Sequence, residues 1–257
     1  MLGNVAMLQA RMESSRLPGK VLLPINGKPM IEWQIQRILQ SKLIEKLVIV
    51  IPNNLENNVL NNTLRDFGVD VYRGSLNNVF DRFYKASKIF QSKTIIRLTA
   101  DCPLVMPDMI DEMLNYFIKH KPKLDYLSNG LVESLPDGLD VEIFNSKILQ
   151  TLSENSLTKE EKENVTLRIW RNPQIFSVAN FPHPHDLGNE RWTVDYPEDF
   201  QFIAEMFSHF GDRSVNIKIA DVLEYVRLNP TKVNKISNAY RNIMLKDTSK
   251  HDDTIML

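Results

Sequence analysis

In the first half of the chain the apolar pattern changes period again and again. Residues 5–8 form a short apolar run that reads as a buried strand. Residues 47–51, mostly β-branched and closed by Pro52, read as another, and residues 69–72 and 94–98 complete a set of four. Between these runs the apolar positions recur at helical spacing. In residues 29–40, Ile31, Ile35, Ile38 and Leu39 share one face. Residues 55–67, ended by Gly68, residues 78–90, and residues 107–119, with Pro107 in the first turn, follow the same period. Strand and helix alternating in this way predict βαβ units. The expected product is a three-layer α/β domain whose mainly parallel sheet is covered on both faces.

Beyond residue 123 the pattern loosens. Residues 124–127 and 139–144 read as strands flanking a turn at Pro136-Asp137-Gly138, and residues 146–152 and 159–170 as helices. Strands are expected at 174–179 and 192–194, and helices at 197–207 and 219–227. No stretch is long enough to be a linker. The expectation is therefore one domain over residues 1–228 with a small inserted lobe at about 130–190. Residues 229–257 read as a C-terminal helix and polar tail.

Composition narrows the function classes. Of 257 residues 43% are hydrophobic, enough for a substantial core. A formal net charge of −1 argues against a broad nucleic-acid face. Cys102 is the only cysteine, which excludes an internal disulfide and fits a cytoplasmic setting. No apolar run approaches the ~18 residues of a membrane span, and no signal peptide is read at the N-terminus.

The densest chemistry follows the first strand: Gln9-Ala-Arg-Met-Glu-Ser-Ser-Arg-Leu-Pro-Gly-Lys20. Arg11, Arg16 and Lys20 are cations spread over ten residues, with the Ser14 hydroxyl among them and Pro18-Gly19 forcing a turn. Such a loop suits a polyphosphate, because backbone N–H groups and hydroxyls bind its oxygens while the cations neutralise them. It is not a Walker loop: Ser14 stands where the first glycine belongs, and Val21 follows the lysine. In parallel α/β sheets ligands sit beyond the carboxyl ends of the strands. Asp101, after the 94–98 strand, therefore falls at the same edge as the loop. Asp101 and Asp195 each end an apolar run and precede a proline-marked helix start, so they are either helix caps or oxygen ligands for a hard cation such as Mg²⁺. Gln9 and Ala10 would bring backbone close to a base. Arg73, Gly74, Asp81 and Arg82 suit contacts to a base and ribose, or the surface of a helix start. Asp137, Asp140 and Glu142 suit sugar hydroxyls, or an ordinary acidic hairpin, with Asp140 and Glu142 on one face of a strand. His183 and His185 lie in Phe-Pro-His-Pro-His-Asp, where two prolines suggest an extended loop, without the further ligands of a zinc site.

Four more segments accompany the loop in order: Tyr72-Arg-Gly-Ser with Asp81-Arg82, Arg97-Leu-Thr-Ala-Asp-Cys-Pro-Leu104, Pro136-Asp-Gly-Leu-Asp-Val-Glu142, and Arg191-Trp-Thr-Val-Asp-Tyr-Pro-Glu-Asp199. Together they resemble the SpsF-like cytidylyltransferases, related to the CMP-Kdo and CMP-sialic acid synthetases. The resemblance implies a Rossmann-like nucleotide-diphospho-sugar transferase fold. It implies transfer of CMP from CTP to an acidic sugar of nonulosonic or octulosonic type, with release of pyrophosphate, in the synthesis of a surface polysaccharide or glycan. It places Lys20 on the nucleotide phosphates with Arg11 and Arg16 sharing the catalytic charge, and Mg²⁺ on Asp101 and Asp195. It also implies a homodimer formed through the lobe. Asn164 falls at a further substrate-binding position, where it can donate and accept hydrogen bonds, but it departs from the pattern, since SpsF-like proteins usually carry histidine there. Two alternatives remain open: a nucleotidyltransferase acting on a sugar phosphate or phosphonate with CTP or another NTP, and a nucleotide-binding subunit without turnover.

Overall fold

The computed structural model describes residues 2–121, 123–183 and 186–230. Its first half alternates as the periodicity predicts: β1 (Leu2–Gln9), a small hairpin of β2 (Pro24–Ile25) and β3 (Lys28–Pro29), α1 (Met30–Ile38), β4 (Lys46–Pro52), α2 (Asn58–Asp66), β5 (Asp70–Gly74), α3 (Val79–Ile89), β6 (Ser92–Thr99) and α4 (Pro107–His120). The second half carries β7 (Tyr126–Ser128), β8 (Glu142–Asn145), α5 (Ser146–Ser153), α6 (Lys159–Glu163), α7 (Leu167–Trp170), β9 (Val178–Asn180), α8 (Pro197–Phe210) and α9 (Ile219–Leu228). Among the described residues one seven-stranded sheet runs in the order β5-β4-β1-β6-β8-β7-β9. The β5-β4-β1-β6 half is parallel, β8 is antiparallel to both its neighbours, and β7 and β9 pair in parallel.

Strand alternation divides the core into two layers. Ala6 and Leu8 of β1, with Leu47, Ile49 and Ile51 of β4, pack against α1, α2, α4, α8 and α9. Val5 and Met7, with Val48 and Val50, face α3, α5 and α7. Each central strand is buried on both sides, as helix-covered parallel sheets require. The chain order reverses between β1 and β6, whose neighbours run outward in opposite directions. The gap beyond their carboxyl ends is the topological switch point, where ligands enter such sheets.

Four segments depart from the sequence expectations, one of them the strand expected over 174–179, which forms only over residues 178–180 as β9. The helix expected over 159–170 breaks at Asn164, whose backbone is extended (φ −106°, ψ 95°). The break lets buried Thr166 donate to Glu142 Oε1 at 2.6 Å. Residues 192–194 form no strand. Their N–H groups reach two separate loops, Trp192 N donating to the Asp137 carbonyl at 2.7 Å and Val194 N to the Asp101 carbonyl at 2.8 Å. The expected strand at 139–144 begins only at Glu142, which leaves Asp140 in the loop before it. Of the expected C-terminal helix and tail, residues 231–257 lie outside the described residues.

Candidate active site

β1 and β6 end side by side, and the ladder continues one step into the loops: Ala10 N donates to the Val50 carbonyl at 3.2 Å and Ala100 N to the Gln9 carbonyl at 2.9 Å. Beyond Ala10 the loop turns back on itself. Gly19, at φ 69°, adopts the left-handed conformation that glycine tolerates, and its N–H reaches the Met12 carbonyl at 2.9 Å. Ser14 Oγ accepts from Leu17 N at 3.3 Å. A polar clamp ties the loop to the segment after β4. Buried Asn57 accepts from Met12 N at 3.0 Å through Oδ1 and donates to both Glu13 carboxylate oxygens at 2.8 and 2.9 Å. Asn54 donates to the same carboxylate.

An open cavity of about 170 Å³ lies between this loop and the end of β6. Gln9, Ala10, Arg11, Ser14, Arg16 and Lys20 line one side, and Asp101 and Asp195 line the other. Lys20 is 8% exposed. Its Nζ donates to Asp101 Oδ2 at 3.3 Å, Asp195 Oδ1 at 3.0 Å and the Val194 carbonyl at 2.7 Å. Burial opposes its charged form, but the two carboxylates outweigh that and raise its pKa. Burial likewise works against ionised Asp101, yet Lys20 and the Thr99 hydroxyl hold its pKa down to about 2. Gln34, a polar residue on the buried face of α1, fixes the bend that carries Asp101. Its Nε2 donates to the Thr99 and Cys102 carbonyls at 2.8 and 2.9 Å.

Neither aspartate is a helix cap. The caps of α4 and α8 are Met106 and Tyr196. Asp199, at the third position of α8, takes the capping role and accepts from Asp195 N and Tyr196 N at 2.9 and 3.0 Å. Arg191 organises this corner and carried no role in the sequence reading. It grips Asp199 through Nε and Nη2, each at 3.0 Å, reaches Asp137 Oδ2 at 2.8 Å, and touches Asp195 Oδ2 at 3.2 Å. Arg16 meets the same Asp195 oxygen at 2.8 Å while lying over the Tyr196 ring.

The residues expected at a base and ribose lie beside β5 and α3. Arg82 is fully buried, its side chain packed against Gly74, where a Cβ would come within 2.7 Å of Arg82 Cγ. None of its three guanidinium nitrogens has a hydrogen-bond partner. Burial and nearby Arg11 lower its pKa to about 10. Arg73 donates from Nη2 to the Asn54 carbonyl at 2.8 Å. Asp81 pairs with Lys85 one turn on.

The expected acceptor residues are engaged within the protein. Asp137 is bound by Arg191, and Asp140 accepts from Gly138 N at 3.3 Å. Glu142 joins a buried network with Arg97, Tyr126 and Thr166. Arg97 and the Thr166 hydroxyl lower its pKa against the effect of burial. Arg97 also reaches Gln9 Oε1 at 3.3 Å, linking the network to the cavity. Asn164 donates to the Glu160 carbonyl at the end of α6. His183 is in no candidate metal group among the described residues, and His185 lies outside them.

Comparison with known proteins agrees with this geometry. The profile of the cytidylyltransferase family matches residues 5–238. The chain belongs to that family. It is 30% identical to the spore coat polysaccharide biosynthesis protein SpsF of Bacillus subtilis, over 87% of this chain and 94% of that one. It is 28% identical to a 3-deoxy-manno-octulosonate cytidylyltransferase of Chlorobium phaeobacteroides, over 95% and 89% of the two chains. A solved cytidylyltransferase from Leptospira borgpetersenii superposes with a TM-score of 0.86 at 28% identity, covering 91% of this chain and 98% of its own. The protein is a CTP-dependent nucleotidyltransferase of the nucleotide-diphospho-sugar transferase fold. No helix among the described residues is long and apolar enough to cross a membrane.

Proposed function

We propose that the enzyme transfers CMP from CTP to an acidic sugar and releases pyrophosphate. The observation that carries this reading is the meeting of Arg16, Lys20, Asp101 and Asp195 at the cavity beyond β1 and β6. In that reaction a sugar hydroxyl attacks the α-phosphorus in line, and the bond to the bridging oxygen of the departing pyrophosphate breaks. Negative charge grows on that oxygen, and cations fixed in advance are the main means of lowering such a barrier. Arg11, Arg16 and Lys20 belong to the loop that would supply them. Arg82 suits the nucleoside end, because its buried donors lack acceptors in the protein. The relatedness to a 3-deoxy-manno-octulosonate enzyme favours an acidic acceptor over a sugar phosphate or phosphonate.

Asp101 and Asp195 fit Mg²⁺. Their carboxylates already converge on one cation, the Lys20 ammonium, and Asp101 stays ionised across the neutral range. Mg²⁺ commonly takes one or two carboxylates and completes its shell with phosphate oxygens and water. When bound it would neutralise phosphate charge. The same reading includes a homodimer through residues 130–190, a lobe that exposes Val132 and Ile175, and a cytoplasmic reaction. Light scattering tests the dimer. Mass spectrometry of products from CTP, Mg²⁺ and a panel of nonulosonic acids, octulosonic acids, sugar phosphates and phosphonates tests the acceptor. A CMP conjugate of an acidic sugar is expected. Conjugates formed only with phosphates or phosphonates would overturn it.

A further inference from the structure

The Lys20 ammonium has three N–H donors, and three protein oxygens accept from it: Asp101 Oδ2, Asp195 Oδ1 and the Val194 carbonyl. In this arrangement no donor remains for a phosphate. The ammonium also occupies the position between the two carboxylates that a divalent cation bound by both would need. Both roles assigned to this corner, lysine on phosphate and cation on the aspartates, therefore require Lys20 to leave its present place.

We propose that Lys20 is the exchangeable counter-ion of the Asp101–Asp195 pair: it holds the two carboxylates together and yields their midpoint when a divalent cation and nucleotide enter. The proposal rests on the reading of this cavity as the nucleotide site. Its physical basis is charge balance. Two carboxylates gathered at one point repel unless a cation lies between them, and Lys20 supplies that cation at 3.3 and 3.0 Å. A divalent cation held by Asp101 and Asp195 would take over the charge balance that the Lys20 ammonium supplies. Asp195 is held for this by further contacts. Its other oxygen is bound by Arg16 at 2.8 Å and by Arg191, which is 7% exposed and anchored on Asp199 and Asp137. Lys20, on a flexible four-carbon stem, can turn toward the loop cavity, where phosphate oxygens would replace the three acceptors it gives up.

Exchange makes metal and nucleotide binding mutually dependent. A divalent cation arriving alone must evict an ammonium that has nowhere equally good to go. One arriving with the triphosphate brings new acceptors for that ammonium, and such linkage is reciprocal.

The test is direct binding of Mn²⁺ without nucleotide, followed by electron paramagnetic resonance, to wild type, Lys20→Met and Lys20→Gln. Circular dichroism checks folding, and the glutamine variant serves if methionine perturbs it. Removing the resident cation is expected to tighten Mn²⁺ binding by about tenfold. Adding Asp101→Asn to the Lys20 variant is expected to abolish that gain. Unchanged or weaker Mn²⁺ binding in both Lys20 variants overturns the proposal, as does a gain that survives Asp101→Asn. The readout needs no turnover or nucleotide. A separate calorimetric titration of wild type with CTP tests the underlying reading, so failure of one is distinguishable from failure of the other.

Discussion

At the scale of single residues, Lys20 and Lys28 separate placed charge from general basicity. Each follows a glycine, yet only Lys20 lines the cavity. Lys28 lies over the Trp33 ring on the β2–β3 hairpin and approaches Glu32 at 3.8 Å. Lys20→Ala is expected to lower kcat by about a hundredfold, the usual effect of losing one contact to developing charge. Lys28→Ala should change it little; steady-state kinetics on both variants decides, and equal losses would reduce the lysine's role to bulk charge. Asp101 offers a test in pH. Its pKa is about 2 in the folded protein against an ordinary value of 3.8. A depressed carboxylate pKa stabilises the fold above the unfolded value, and that contribution is lost as pH falls through the folded value. Wild-type Tm should therefore fall more steeply between about pH 5 and pH 2 than that of Asp101→Asn. The same variant, and Asp195→Asn, should each lose most turnover at saturating Mg²⁺; near-normal turnover in either would remove that residue from the ligand set.

At the scale of elements, the loop after β1 is held by its attachments more than by its own turns. Asn57 joins it to the end of β4 through Met12 and Glu13. Asn57→Ala leaves a buried donor and part of a carboxylate without partners, which costs about 1–3 kcal/mol. For a chain of this size that corresponds to a fall in Tm of several degrees. A rise in KM for CTP should accompany it, because the cations would lose their common frame. A Tm loss with unchanged KM would assign the clamp to stability alone. The crossing of residues 137–139 over 192–193 is equally specific. Gly138 sits at φ 111°, and a Cβ there would come within 2.4 Å of Thr193 N and 2.5 Å of the Trp192 carbonyl carbon, both backbone atoms that cannot yield cheaply. Gly138→Ala combines a strained conformation with a backbone clash. Calorimetry should find it destabilised by about 3 kcal/mol or more.

At the scale of the whole molecule, the sheet brings its two halves together at one edge. The loop follows β1, Asp101 follows β6, and Asp195, 175 residues beyond Lys20, lies in a segment held on the Asp101 loop by Val194. Ligand binding across such a junction stabilises the entire fold by mass action. CTP with Mg²⁺ should raise Tm more than ATP, GTP or UTP at equal concentration. Equal or greater shifts with another nucleotide would overturn the cytidine preference while leaving the fold untouched.

The sequence by itself determined the elements of the first half, because helical and strand periods are local and those elements are long enough to express them. It also determined that the 9–20 loop and Asp101 share an edge, since both follow parallel strands. It carried visible anomalies as well: Gln34 and Arg37 interrupt the apolar face of α1, and both turn out to be buried donors that fasten neighbouring loops. Only the tertiary structure decided which strands pair, because β7, β8 and β9 are three or four residues long and take their identity from neighbours far away in sequence. It alone drew residues 192–194 out of a strand and into contact with two loops. It alone turned Glu142 toward Arg97, Tyr126 and Thr166, and Asp137 toward Arg191. Sequence pattern specifies which residues carry charge; which opposite charge each one meets depends on how strands from distant parts of the chain are ordered in the sheet.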